Sequence, residues 1–147
     1  MPVQAWRAFG IVAAIVLYAV SQSGDAYELT SPHTLPYHEI VRKTYALLAF
    51  ALLGYALERS KVPRVHGAFA AAIVLGVYSY AIELGQISFG HAQETFAEHA
   101  FDVASGVVGG ALGALAARPR RTAGLAVAAG LVLLAWEFTL TYGSRAP

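Results

Sequence analysis

Glu83 and Gln86 stand three residues apart near the end of an apolar run, SYAIELGQ, and Asp102 and Ser105 stand three apart at the start of another, FDVASGVVGGALG. The spacing puts Glu83 and Gln86 on one face of a helix, and Asp102 and Ser105 share one level at one end of theirs. A carboxylate inside an apolar helix is costly, and it usually faces a bundle interior or a wet cavity. There it can act as an acid or base, relay a proton, or orient a polar ligand. Arg42 and Lys43, side by side at the start of an earlier apolar run, supply the counter-charge. Charge-assisted hydrogen bonds from such cations suit a phosphate or carboxylate. The expected site is therefore Arg42, Lys43, Glu83, Gln86, Asp102 and Ser105, with Glu83 and Asp102 the candidates for any acid–base step.

Simpler explanations stand beside several of these residues. Arg42 and Lys43 can snorkel to lipid headgroups. Glu39 and Lys43 form a favourable i,i+4 pair that decorates a helix start. Glu98 and Asp102 sit where the dipole of a helix N-terminus welcomes a carboxylate. His91 and His99 read as exposed loop residues, because no HExxH-type spacing accompanies them, and no metal site is expected. Glu83 is the hardest to explain away. It lies within its apolar run and needs a partner, for which Arg42 or Lys43 is the expectation.

The elements that carry these residues follow from composition. Of 147 residues, 57% are hydrophobic and only 13% are charged, about half the charged share of a soluble domain. The mean hydropathy is +0.54. Such a chain cannot cover a soluble globule with polar surface, so it reads as an integral membrane protein. A net charge of +1 gives no reason to expect nucleic acid as a partner, and the lack of cysteine excludes disulfides and thiolate chemistry. No cofactor is expected.

Apolar runs cover Ala5–Val20, Ile40–Leu57, Ala68–Gln86, Ala100–Ala117 and Ala123–Tyr142. Each approaches the ~20 residues that span a bilayer core. Nothing alternates as a barrel strand does, and backbone in lipid must satisfy its own hydrogen bonds. The fold class is thus all-α: a polytopic transmembrane bundle of about five helices (four to five), forming one domain over 1–147. The first run also fits a signal peptide; a retained helix is the preferred reading, because later segments offer it partners.

Basic residues cluster at Arg7, at Arg59, Lys61 and Arg64, and at Arg118, Arg120 and Arg121. Five spans bring all three clusters to one side, which the positive-inside rule makes cytoplasmic. The loops 21–38 and 87–99 then face outward, and Glu39, Arg42, Lys43, Glu83, Gln86, Asp102, Ser105 and Glu137 converge just below the outer surface. Gly106 with Gly110, and Gly109 with Gly113, are overlapping small-xxx-small pairs that let a neighbouring helix approach closely. Asp102 lies on the same stripe, so packing aims it at the second or third helix.

ELGQ followed by a glycine-containing loop and DVASGVVGGALG resembles the VanZ-like family of small integral membrane proteins. Glu83, Gln86, Asp102 and Gly109 match that pattern, with Ser105 in place of the usual Asn. Arg42, Lys43, Leu53 and Gly54 match the first half. Ala46 and Ala49 stand where the family has His and Glu, Phe50 replaces a Tyr, and His91 is nearest to the loop Arg. The resemblance covers about 39–117 and implies a multi-helix protein of the bacterial cell envelope, in the cytoplasmic membrane. The founding member is associated with teicoplanin resistance; no such role is carried over to this chain.

Three functions are weighed. The favoured one is binding: Arg42 and Lys43 clamp the anionic headgroup of an envelope lipid or lipid-linked precursor, while Glu83, Gln86 and Asp102 orient the clamp. The second is an intramembrane enzyme acting at a lipid phosphate with Glu83 or Asp102 as general base. The third is a small proton-coupled transporter, which five short helices without an inverted repeat favour least unless the chain forms a homo-oligomer.

Overall fold

A computed structural model of the chain describes residues 1–24, 38–88 and 96–119, with 124, 127–132, 135 and 139; the side chains of 39 and 96–98 lie outside that description. Among the described residues the chain is helical and contains no strand. Four long helices carry the fold: α1 (Val3–Ser21), α2 (His38–Ser60), α3 (Ala68–Ser88) and α4 (Phe96–Ala116). Each is long and apolar enough to cross a membrane. The fifth expected span is helical at each of its described positions.

The helices run alternately up and down. Arg7 near the start of α1 donates from Nε to the carbonyl of Ser60 at the end of α2, at 3.1 Å. At the same end Glu58 accepts from the backbone N–H of Gly67, at 2.5 Å, and from Arg118 Nε, at 3.3 Å. One carboxylate thus fastens the α2–α3 turn to the residues just past α4. Lys61 and Arg64 in that turn have φ of 47° and 67°, and Gly67 closes it at 109°. A side chain in the left-handed region is strained, and the Glu58 anchor helps to hold the turn there.

Helix α4 is the central element and packs most extensively against both α2 and α3. The glycine ladder explains how. A Cβ on Gly106 would stand 2.5 Å from Ser79 Cβ and 2.7 Å from the Leu75 carbonyl of α3. A Cβ on Gly113 would collide with the Ala51 carbonyl of α2, and one on Gly54 of α2 with the Gly110 carbonyl. Gly106 and Gly110 therefore seat α3, whereas Gly109 and Gly113 seat α2, so the ladder serves both expected partners. Close backbone approach is how helices adhere when the surrounding lipid is as apolar as they are.

A small core of Phe50, Leu53, Leu75 and Ile82 fills the centre, with Leu17 and Tyr78 packed against it. Helix α1 contributes no buried residue and lies chiefly along α2. Large apolar side chains face outward, among them Ile11, Ile15, Leu48, Phe69 and Val77. An exposed apolar surface of that extent belongs in lipid, not water.

Candidate functional site

Hydropathy places Ile87–His99 in a loop, but α3 continues to Ser88 and α4 begins at Phe96. The polar residues Glu98 and His99 are thus helical. Backbone bonding extends an apolar helix through a polar first turn, which hydropathy alone does not register. The shift matters for His99: three residues before Asp102, it lies on the same face of α4. It is partly buried, and not an exposed loop residue.

His99 is the partner of Glu83. Its Nδ1 lies 2.6 Å from Glu83 Oε2, with 21% of the His99 side chain and 6% of the Glu83 side chain exposed. With Glu83 ionised the carboxylate can only accept, so Nδ1 carries the hydrogen and donates. Buried carboxylates require such a partner. Where Arg42 or Lys43 is the expected partner, the structure sets His99 against Glu83. Arg42 instead faces Asp102 at 4.0 Å, both side chains about one-fifth exposed.

Glu83, Arg42 and Asp102 open onto one cleft of about 230 Å³ near the ends of α1 and α3 and the starts of α2 and α4, whereas His99 stands behind Glu83 and is not among the residues lining it. Arg42, Glu83, Gln86 and Asp102 line it together, as the sequence leads one to expect. Apolar walls come from Leu17 and Val20 of α1, Ala46, Ala49 and Phe50 of α2, and Ile82 of α3. The cleft is therefore amphiphilic, with charged groups set among hydrocarbon.

Two expected members stand elsewhere. Lys43 places its Nζ 4.2 Å from the centre of the Phe101 ring, a cation–π contact, and is not among the residues lining the cleft. Ser105 is buried and donates to the Phe101 carbonyl one turn back at 3.0 Å. Hydroxyls of this kind often bond back along their own helix. The side chains of Glu39 and Glu98, and the residues His91, Glu94 and Glu137, lie outside the described residues.

The supporting contacts are polar and specific. Ser79 Oγ donates to the Asp102 carbonyl at 2.9 Å, a reach that Gly106 permits by bringing α3 and α4 together. Gln86 Nε2 donates to the Ser21 carbonyl at 3.0 Å, and Gln22 Nε2 to the Ile82 carbonyl at 3.3 Å. This reciprocal pair pins the end of α1 beside the cleft. The sequence signal for it is the Ser21–Gln22 step that closes the first apolar run. Among the described residues, no group of three or more His, Asp and Glu side chains is placed to hold a metal ion.

Comparison of the chain with protein-family models, with curated proteins and with solved structures finds no match.

Proposed function

We propose that the protein is a divergent VanZ-like membrane protein of the bacterial envelope whose cleft binds the headgroup of an anionic lipid or lipid-linked precursor. The observation that carries this reading is the composition of the cleft wall: Arg42, Glu83, Gln86 and Asp102 set among Leu17, Ala49, Phe50 and Ile82. A polar head with a hydrocarbon tail matches that division. A phosphate of the ligand draws Arg42 away from Asp102, whose 4.0 Å pair is at the outer limit of an ion pair. Asp102 and Gln86 then meet sugar hydroxyls or amides. Glu83, held by His99, keeps the wall polar and fixed. Lys43, over Phe101, contributes long-range charge and no direct clamp. The basic clusters support a cleft on the extracytoplasmic side, by the positive-inside rule.

A second reading rests on the Glu83–His99 contact. A carboxylate–imidazole pair is a common general-base arrangement, and beside Arg42 it suits hydrolysis or transfer at a lipid phosphate.

Native mass spectrometry of the detergent-purified chain tests the binding reading. An anionic lipid that co-purifies with the protein, and is lost in both Arg42→Ala and Glu83→Ala, supports it. A chain that carries no lipid in any form overturns it. Turnover of an added polyprenyl phosphate, abolished by Glu83→Gln, selects the enzyme instead. A pH-driven flux in liposomes selects a transporter.

A further inference from the structure

At the opposite end of the bundle α1, α2 and α3 leave a second cavity, a groove of about 410 Å³. It shares no lining residue with the cleft. Gly10 and Ala14 of α1, Leu53 and Ala56 of α2, and Val74 and Leu75 of α3 form its walls, all of them apolar. The small residues make the space: among the described residues, a Cβ on Gly10 would meet only Ala56 Cβ, at 3.7 Å.

The mouth differs from the walls. Arg7 lines the groove, is exposed, and reaches Ser60 at the end of α2. Arg59 and Lys61, both exposed, flank Ser60 in the chain. Trp6 also lines the groove, and its Nε1 is buried with no hydrogen-bond partner among the described residues. Buried donors are nearly always satisfied, so an orphan of this kind calls for an acceptor.

We propose that this groove is a second lipid site, holding one acyl chain of an anionic phospholipid with its phosphate at Arg7. Three observations choose that occupant. The walls are hydrocarbon and lie against α1, whose outer face of Ile11 and Ile15 is already turned to the membrane. The charge at the mouth is cationic, which attracts anionic headgroups. The orphaned Trp6 Nε1–H finds its acceptor in an ester or phosphate oxygen. The volume falls within the range of about 300–1,000 Å³ usual for ligand pockets. The site does not depend on the reading of the cleft.

The chain's own fluorescence reads it out. Only two tryptophans are present, so Trp136→Phe leaves Trp6 as the sole emitter. The full chain carrying that change is reconstituted in phosphatidylcholine vesicles with chain-brominated phosphatidylglycerol or chain-brominated phosphatidylcholine as quencher. Quenching of Trp6 is expected at a markedly lower mole fraction of the anionic lipid. Arg7→Gln weakens that preference by about fivefold, the value of one membrane-surface cation, and Arg42→Ala leaves it unchanged. Gly10→Leu, which fills the groove, removes the preference while thermal unfolding confirms that the bundle persists. Equal quenching by the two lipids overturns the proposal, as does a preference that survives both Arg7→Gln and Gly10→Leu. A preference lost in Arg42→Ala but kept in Arg7→Gln moves the lipid to the cleft and overturns the groove site.

Discussion

Glu83 of α3 and His99 of α4 meet at 2.6 Å, sixteen residues apart in sequence. Removing one partner of a buried ionisable pair takes compensation from the other, at a cost on the order of 3 kcal/mol. His99→Ala is therefore expected to destabilise the bundle by about that amount, read as a fall in the thermal midpoint in detergent. Replacing both residues together, by Leu, is expected to recover most of the loss. If the double variant is no more stable than His99→Ala, the contact is not the source of the effect.

The glycine contacts predict a sharp contrast. Ala at Gly54 or Gly113 drives a methyl into a backbone carbonyl of the facing helix, and backbone cannot step aside as a side chain can. Each change should cost about 1–3 kcal/mol by forcing α2 and α4 apart. Gly124→Ala meets nothing within 4 Å and should be neutral or slightly stabilising, since Ala is the better helix former. Unfolding of the three variants in the same detergent checks the ranking; similar losses in all three would refute it.

At the other end, Glu58 has two donors and Arg118 is the more exposed partner, with 42% of its side chain accessible against 16% for Glu58. Glu58→Ala is expected to cost about 1–3 kcal/mol, because Gly67 N–H also loses its acceptor. Arg118→Ala should cost under about 1 kcal/mol, as for other exposed pairs. High salt should narrow the Arg118 effect further. Equal losses for the two variants would show that the Gly67 contact adds nothing.

Sidedness has its own measurement. A cytoplasm-active reporter fused after Arg120 is expected to be active, and a periplasm-active one placed in the stretch 25–37 likewise. The reverse pattern would turn the cleft toward the cytoplasm and remove the envelope lipid reading with it.

Particular residues show how far sequence reasoning reached. Charge scarcity and apolar run length suffice for the four long helices, and the Gly106–Gly113 ladder points to the second or third helix as its partner, where the structure seats both. Arg42, Glu83, Gln86 and Asp102 do line one cleft. The pairings were not legible. Whether Glu83 meets Arg42 or His99 depends on where α4 starts, and polar first turns blur that boundary in hydropathy. Lys43 enters the expected site by adjacency to Arg42, and Ser105 by its level at the outer end of the fourth span. Neither rule knows that a ring at Phe101 and a carbonyl one turn back compete for them.

Helix α1 buries none of its own residues, yet it closes a wall of the cleft and a wall of the groove. Arg7 grips the Ser60 carbonyl, Tyr78 the Ala14 carbonyl, Gln22 the Ile82 carbonyl and Gln86 the Ser21 carbonyl. Every one of these attachments ends on a backbone oxygen, and Leu17 of α1 adds apolar packing against the core. Among the described residues, α1 is thus joined to α2 and α3 by separate polar pins and by modest apolar packing. Local opening draws first on elements with few buried contacts of their own. Because α1 lines both cavities, a single displacement of this helix would bare both at once, and the lipids proposed for the two ends would share one point of entry.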